Sequence, residues 1–125
     1  MRDKKECACG TAPKLIFACS GSSDVGAIAD QAARQLMKAG IGKMYCLAGI
    51  GGRVAGIMAT AESAAKILAI DGCPINCASK TLDLAGFKKI EHLALSDIGL
   101  QKGRSPMTPE NVDKVAQKAA TVLNC

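Results

Sequence analysis

Three observations predict an α/β fold, a single-domain three-layer α/β/α sandwich on a mainly parallel sheet of four strands. Four short apolar runs are each followed by a turn and then a stretch in which apolar residues recur every three or four positions. Two of the runs, LIFA from Leu15 and ILAI from Ile67, are apolar at every position, as in strands covered on both faces. The chain is 49% apolar yet has no Trp, one Tyr and two Phe, so Ala, Ile, Leu, Val and Met must fill a core of helices packed on a sheet.

Residues 1–13 read as a short mobile arm ending at Pro13, and residues 14–125 as one domain; 125 residues suffice for one core and not for two ordinary ones. LIFACS is the first strand and GSSD its turn. Val25, Ile28, Ala29, Ala32, Leu36 and Met37 then mark a helix with Ser23 as N-cap and Gly40 as its stop. KMYCLA is the second strand, AGIGG a turn, and Arg53 to about Ala65 the second helix. KILAID is the third strand. PINCASKTLDLAG is the third helix, with Cys73 as N-cap, Pro74 at the first helical position and Gly86 closing it. IEHLALS is the fourth strand, and a loop from Asp97 to Met107 leads to a last helix opened by Thr108 and Pro109, with Val112, Val115, Ala116, Ala119, Val122 and Leu123 on its inner face. Right-handed crossovers and parallel strands favour the flavodoxin-like order 2-1-3-4.

Sixteen basic residues against eleven acidic give a charge of +5, but they are scattered, and stacking aromatics are scarce, so nucleic acid is not an expected partner. The polar start MRDKKECACG is no secretory signal, and no apolar run approaches the roughly 20 residues a membrane span needs. A cytoplasmic location is expected. There the seven cysteines stay reduced, which makes them ligands, nucleophiles or buried fillers rather than disulfides.

Cys19, Cys46 and Cys73 stand 27 residues apart each time, about one strand-turn-helix unit, so each thiol returns to the carboxyl edge of the sheet. Open parallel sheets bind ligands at that edge, near the switch in strand order between strands one and three. Cys77 follows Cys73 by one helical turn, and a helix start favours thiolate there. Cys19 lies on the neighbouring strand, whereas Cys46 is two strand spacings, roughly 10 Å, from the strand bearing Cys73. Zinc holds sulfur at about 2.3 Å, so Cys46 joins one ion only by leaning over the first strand. The spacing is not that of a zinc ribbon, and buried filler is an alternative for each thiol.

CSGSSDVG at 19–26, CLAGIGG at 46–52 and IDGCPINCASKTLDLAG at 70–86 resemble the DGC family, named for the Asp-Gly-Cys that stands here as Asp71-Gly72-Cys73. The resemblance runs from about Lys14 to Gly86 and more loosely to the end. It implies zinc as cofactor, held by four cysteines whose matches are Cys19, Cys46, Cys73 and Cys77. It implies no reaction, because the family's biochemical role is unassigned.

Two alternatives use the same sulfurs. One is an enzyme of thiol, sulfur-transfer or redox chemistry, with Cys73 as nucleophile and Cys77 or Cys19 resolving it. The other is an iron–sulfur cluster. A protein partner is left open. Cys7 and Cys9 in the arm add ligands, hold a second metal, or are incidental; Cys125 reads as a terminal free thiol. GIGGRVAG fails the dinucleotide pattern at Val54 and reads as a tight turn. His92 is expected as a strand residue away from the thiols. Asp71 is expected to accept turn N–H groups or to orient a ligand, and Lys102 and Arg104 belong to a loop that is either solvated or a lid.

Overall fold

The computed structural model of the protein describes residues 12–124. Nearly all of the expected arm, with Cys7 and Cys9, lies outside the described residues, as does Cys125. Five helices and four strands follow one another as β1 (Lys14–Ala18), α1 (Asp24–Lys38), β2 (Lys43–Met44), α2 (Leu47–Gly51), α3 (Ala55–Glu62), β3 (Lys66–Asp71), α4 (Cys77–Leu84), β4 (Glu91–Ala94) and α5 (Pro109–Leu123). The strands pair in the order β2-β1-β3-β4, every pair parallel, which is the expected topology.

The alternation of side chains along a strand divides the core in two. Ile16, Ala18, Leu68 and Ile70 face α1 and α5, where Ile28, Ala32, Leu36, Val115 and Ala119 are buried. Leu15, Phe17, Ile67 and Ala69 face α2, α3 and α4, where Ile50, Ala61, Ala78 and Leu82 are buried. Each fully buried Leu, Ile or Phe contributes about 1.5–3 kcal/mol, so the two layers, not the short sheet ladder, hold the domain together.

Capping fixes the helix ends. The Ser23 side chain accepts from Gly26 N–H at 3.1 Å, and Thr108 accepts from Asn111 N–H at 3.2 Å with Pro109 in the first turn, both as expected. Gly40, at φ 77°, follows the C-cap Ala39 and takes the left-handed turn that ends α1. At the amino end of the sheet, Lys14 and Lys66 donate to the Leu123 and Val122 carbonyls at 2.8 and 3.1 Å, placing two cations on the negative end of α5.

Four expected segments are corrected. β2 is only Lys43–Met44: Tyr45 N–H still donates to Ile16 carbonyl, but Cys46 then caps α2. The supposed AGIGG turn is therefore mostly helix. It packs tightly on α3, because a Cβ on Gly49 would lie 2.2 Å from Ile57 Cδ1. The predicted second helix starts later, at Ala55, since Arg53 is left-handed at φ 57° and its guanidinium donates to the Ile50, Gly51 and Leu84 carbonyls. IEHLALS yields a strand only to Ala94, followed by a 3₁₀ turn over Leu95–Ile98 that ends at Gly99 with φ 86°. No helix among the described residues is long and apolar enough to cross a membrane.

Candidate functional site at the carboxyl edge of the sheet

β1, β2 and β3 end at Ala18, Met44 and Asp71, so Cys19, Cys46 and Cys73 each stand one or two residues past a strand end. The 27-residue spacing does bring them to one edge. Cys19 continues the sheet by one bond, its N–H donating to Ile70 carbonyl at 3.0 Å, and its Sγ accepts Gly72 N–H at 3.3 Å. That contact ties the first cysteine to the Asp-Gly-Cys segment. An N–H donor to sulfur is also the outer contact that metal-bound thiolates use.

The helix expected to begin at Pro74 begins at Cys77. Cys73 is thus not an N-cap; it opens a turn in which Asn76 N–H donates to Cys73 carbonyl at 3.1 Å, and Asn76 itself is left-handed at φ 61°. The cause is Asp71. Its carboxylate, 1% exposed, accepts Ala78 N–H at 2.7 Å and Ser79 N–H at 3.1 Å, capping α4 from the end of β3. Pro74 suits the second position of a turn as well as a first helical position, so the proline alone did not decide the start. Asp71 is expected to accept turn N–H groups; its backbone donors, Ala78 and Ser79, belong instead to the first turn of α4.

Glycine makes the edge compact. A Cβ on Gly72 would fall 2.8–2.9 Å from Val25 backbone atoms, and one on Gly26 would fall 2.5 Å from Gly21 carbonyl oxygen. The first turn of α1 therefore presses directly on the Asp-Gly-Cys segment. Between them lies a cavity of about 220 Å³ lined by Cys19, Cys73, Cys77, Asp71, Ser22 and Lys102, among others. Cys19 and Cys73 are partly buried and Cys77 is exposed.

Cys46 is apart from this cavity. It is exposed and lines an adjoining groove of about 520 Å³ with Cys19, Tyr45, Asp30 and Arg34. Burial alone would raise the Asp30 carboxyl, but hydrogen bonds from Arg34 Nε at 2.7 Å and Ser20 Oγ at 2.8 Å outweigh it and hold the group below the ordinary carboxylate value. Ser20 reaches Asp30 by adopting φ 50°, immediately after Cys19.

The four sulfurs suit a soft metal by chemistry, and three of the residues line one cavity. Among the described residues, no three Cys, His, Asp or Glu side chains stand close enough together to hold an ion. The residue sequence reasoning missed is His92. It is the second residue of β4, in register with Ala69, and its Nε2 lies 2.9 Å from Asp71 Oδ2. The imidazole is thus one contact from the cysteine cavity rather than remote from it. The signal was available in the period of two, since Ala69 and Asp71 share a face and a parallel partner of Ala69 can reach along it. Lys102 lines the cavity; Arg104 does not.

The fold is that of a small α/β protein, a doubly wound parallel sheet with four cysteines near its carboxyl edge, where open parallel sheets commonly bind ligands. The chain belongs to the DGC domain family, whose model matches residues 15–119. It is similar to the Anaerobic and virulence modulator AnvM of Pseudomonas aeruginosa, at 41% identity over 88 residues, 70% of this chain and 67% of the relative. No solved structure matches the chain.

Proposed function

We propose that this protein binds one soft metal ion, zinc, through Cys19, Cys46, Cys73 and Cys77. The observation that carries the reading is the cavity shared by Cys19, Cys73 and Cys77, with Gly72 N–H already donating to Cys19 Sγ. Closing the set requires the exposed Cys77, and Cys46 from the adjoining groove, to move toward Cys19 and Cys73. A four-sulfur set leaves no open coordination position, which suits a structural or sensing metal better than a catalytic one. The name of the similar protein, a modulator, is in keeping with that choice. The test is metal content and visible absorption of anaerobically purified protein beside Cys73→Ser. One colourless zinc per chain, lost in the variant, is expected; a brown protein would replace zinc by an iron–sulfur cluster, and no metal would overturn the reading.

A second reading, thiol chemistry, draws on a specific observation: an exposed cysteine at a helix start. That residue is Cys77, so the nucleophile in this reading is Cys77, with Cys73 or Cys19 as its resolving thiol. Metal-free protein whose Cys77 reacts far faster than Cys46 would favour it.

A further inference from the structure

Lys102 is the one cation among the described residues that line the cysteine cavity, and neither metal nor thiol chemistry uses it. Its loop is pinned on both sides. Gly103 N–H and Ser105 N–H donate to the two Asp24 carboxylate oxygens at 2.9 and 3.2 Å, and Ser105, 7% exposed, accepts Gln101 N–H on its Oγ at 2.8 Å. The backbone around Lys102 is thus held against the first turn of α1, and the side chain is presented to the cavity.

The nearby acids are already engaged. Asp71 spends its oxygens on Ala78, Ser79 and His92, and Asp24 spends its own on Val25, Gly103 and Ser105. No hydrogen bond or ion pair engages the Lys102 ammonium among the described residues. Ser22 and Ser23 also line the cavity, and Ser23 Oγ, which accepts from Gly26 N–H, still has its own hydrogen to donate.

We propose that this cavity binds a small anion beside the sulfurs, with Lys102 as its counter-charge and the Ser22 and Ser23 hydroxyls as donors. At about 220 Å³ it has the space of roughly seven water molecules of about 30 Å³ each, enough for an oxyanion or a short carboxylate and too little for a nucleotide.

The test is a sulfate titration of the full-length chain at constant ionic strength, followed by the amide signals of Gly103 and Ser105, in wild type, Lys102→Met and Lys102→Arg. Saturating shifts in wild type, lost in Lys102→Met and kept in Lys102→Arg, are expected. No shift in wild type, or equal shifts in Lys102→Met, would overturn the proposal. A second readout, on metal-free protein, compares alkylation of Cys73 by iodoacetate and by neutral iodoacetamide. A cation at the cavity raises the ratio of the two rates roughly threefold or more over Lys102→Met, and 0.5 M salt abolishes the difference; an unchanged ratio overturns the proposal. Metal analysis of the same samples reads the zinc proposal separately.

Discussion

The imidazole of His92 and the carboxylate of Asp71 meet at 2.9 Å, although 21 residues separate them and β4 brings only the edge of the sheet. An ionised carboxylate can only accept, so in this contact the imidazole donates through Nε2. Through Asp71 this one contact joins an edge strand, the start of α4 and the cysteine cavity.

Replacing Asp71 by Asn turns one of its two acceptor oxygens into an NH2 donor, so with Oδ1 kept on Ala78 N–H the Ser79 N–H at the helix start and the His92 imidazole lose their acceptor. A loss of about 1–3 kcal/mol is expected in urea unfolding at neutral pH. His92→Phe, at a side chain 32% exposed, leaves both helix N–H groups satisfied and costs about 1 kcal/mol or less. Equal losses in the two variants would mean that Asp71 serves the imidazole and not the helix.

Gly72→Ala forces a Cβ into Val25 backbone that has no flexible end to yield. Overpacking of this kind costs about 1–3 kcal/mol. Gly56, in the first turn of α3, has nothing within 4 Å of its would-be Cβ, so Gly56→Ala is expected to stabilise by about 0.5–1 kcal/mol. Thermal melts of the two proteins check both signs at once.

Asp24 governs the loop by pH. The Gly103 N–H bond, against burial and aided by Val25 and Ser105, holds this carboxyl below its ordinary value. A depressed folded-state value means that the clasp contributes fully above the unfolded value, about 3.9, and is lost as pH falls through the lower folded one. The Gly103 and Ser105 amide signals are expected to move together below about pH 4 in wild type, and to show the released positions already at pH 7 in Asp24→Ala, which removes both acceptor oxygens. Independent movement of the two amides would refute a common clasp.

Alkylation by iodoacetamide, resolved by peptide mapping, is expected to modify the exposed Cys46 and Cys77 before the partly buried Cys19 and Cys73 in metal-free protein. Loading with zinc is expected to protect all four together. Protection confined to Cys19, Cys73 and Cys77 would remove Cys46 from the ligand set.

Much of this was legible in the chain. Continuous apolar runs marked β1 and β3 because both lie between two helical layers, and the helical spacing of α1 and α5 matches the faces they bury. Capping by Ser23 and Thr108 was readable because the partners are three residues away. What was misread depends on contacts far apart in sequence. α4 starts at Cys77 because of a carboxylate on β3, and the helix after β2 breaks at Arg53, whose guanidinium reaches Leu84 carbonyl 31 residues on. In the site, the 27-residue period of the cysteines marks the edge, while the division into a cavity and a groove that meet at Cys19 has no local signature in the chain.

Cys19 lines both compartments. Its sulfur is a party wall: whatever draws it toward the Cys73 side takes a surface away from the Cys46 side, and a modification of it narrows both. Two occupants of this edge would therefore compete without ever touching, each sensing the other through the rotamer of a single side chain.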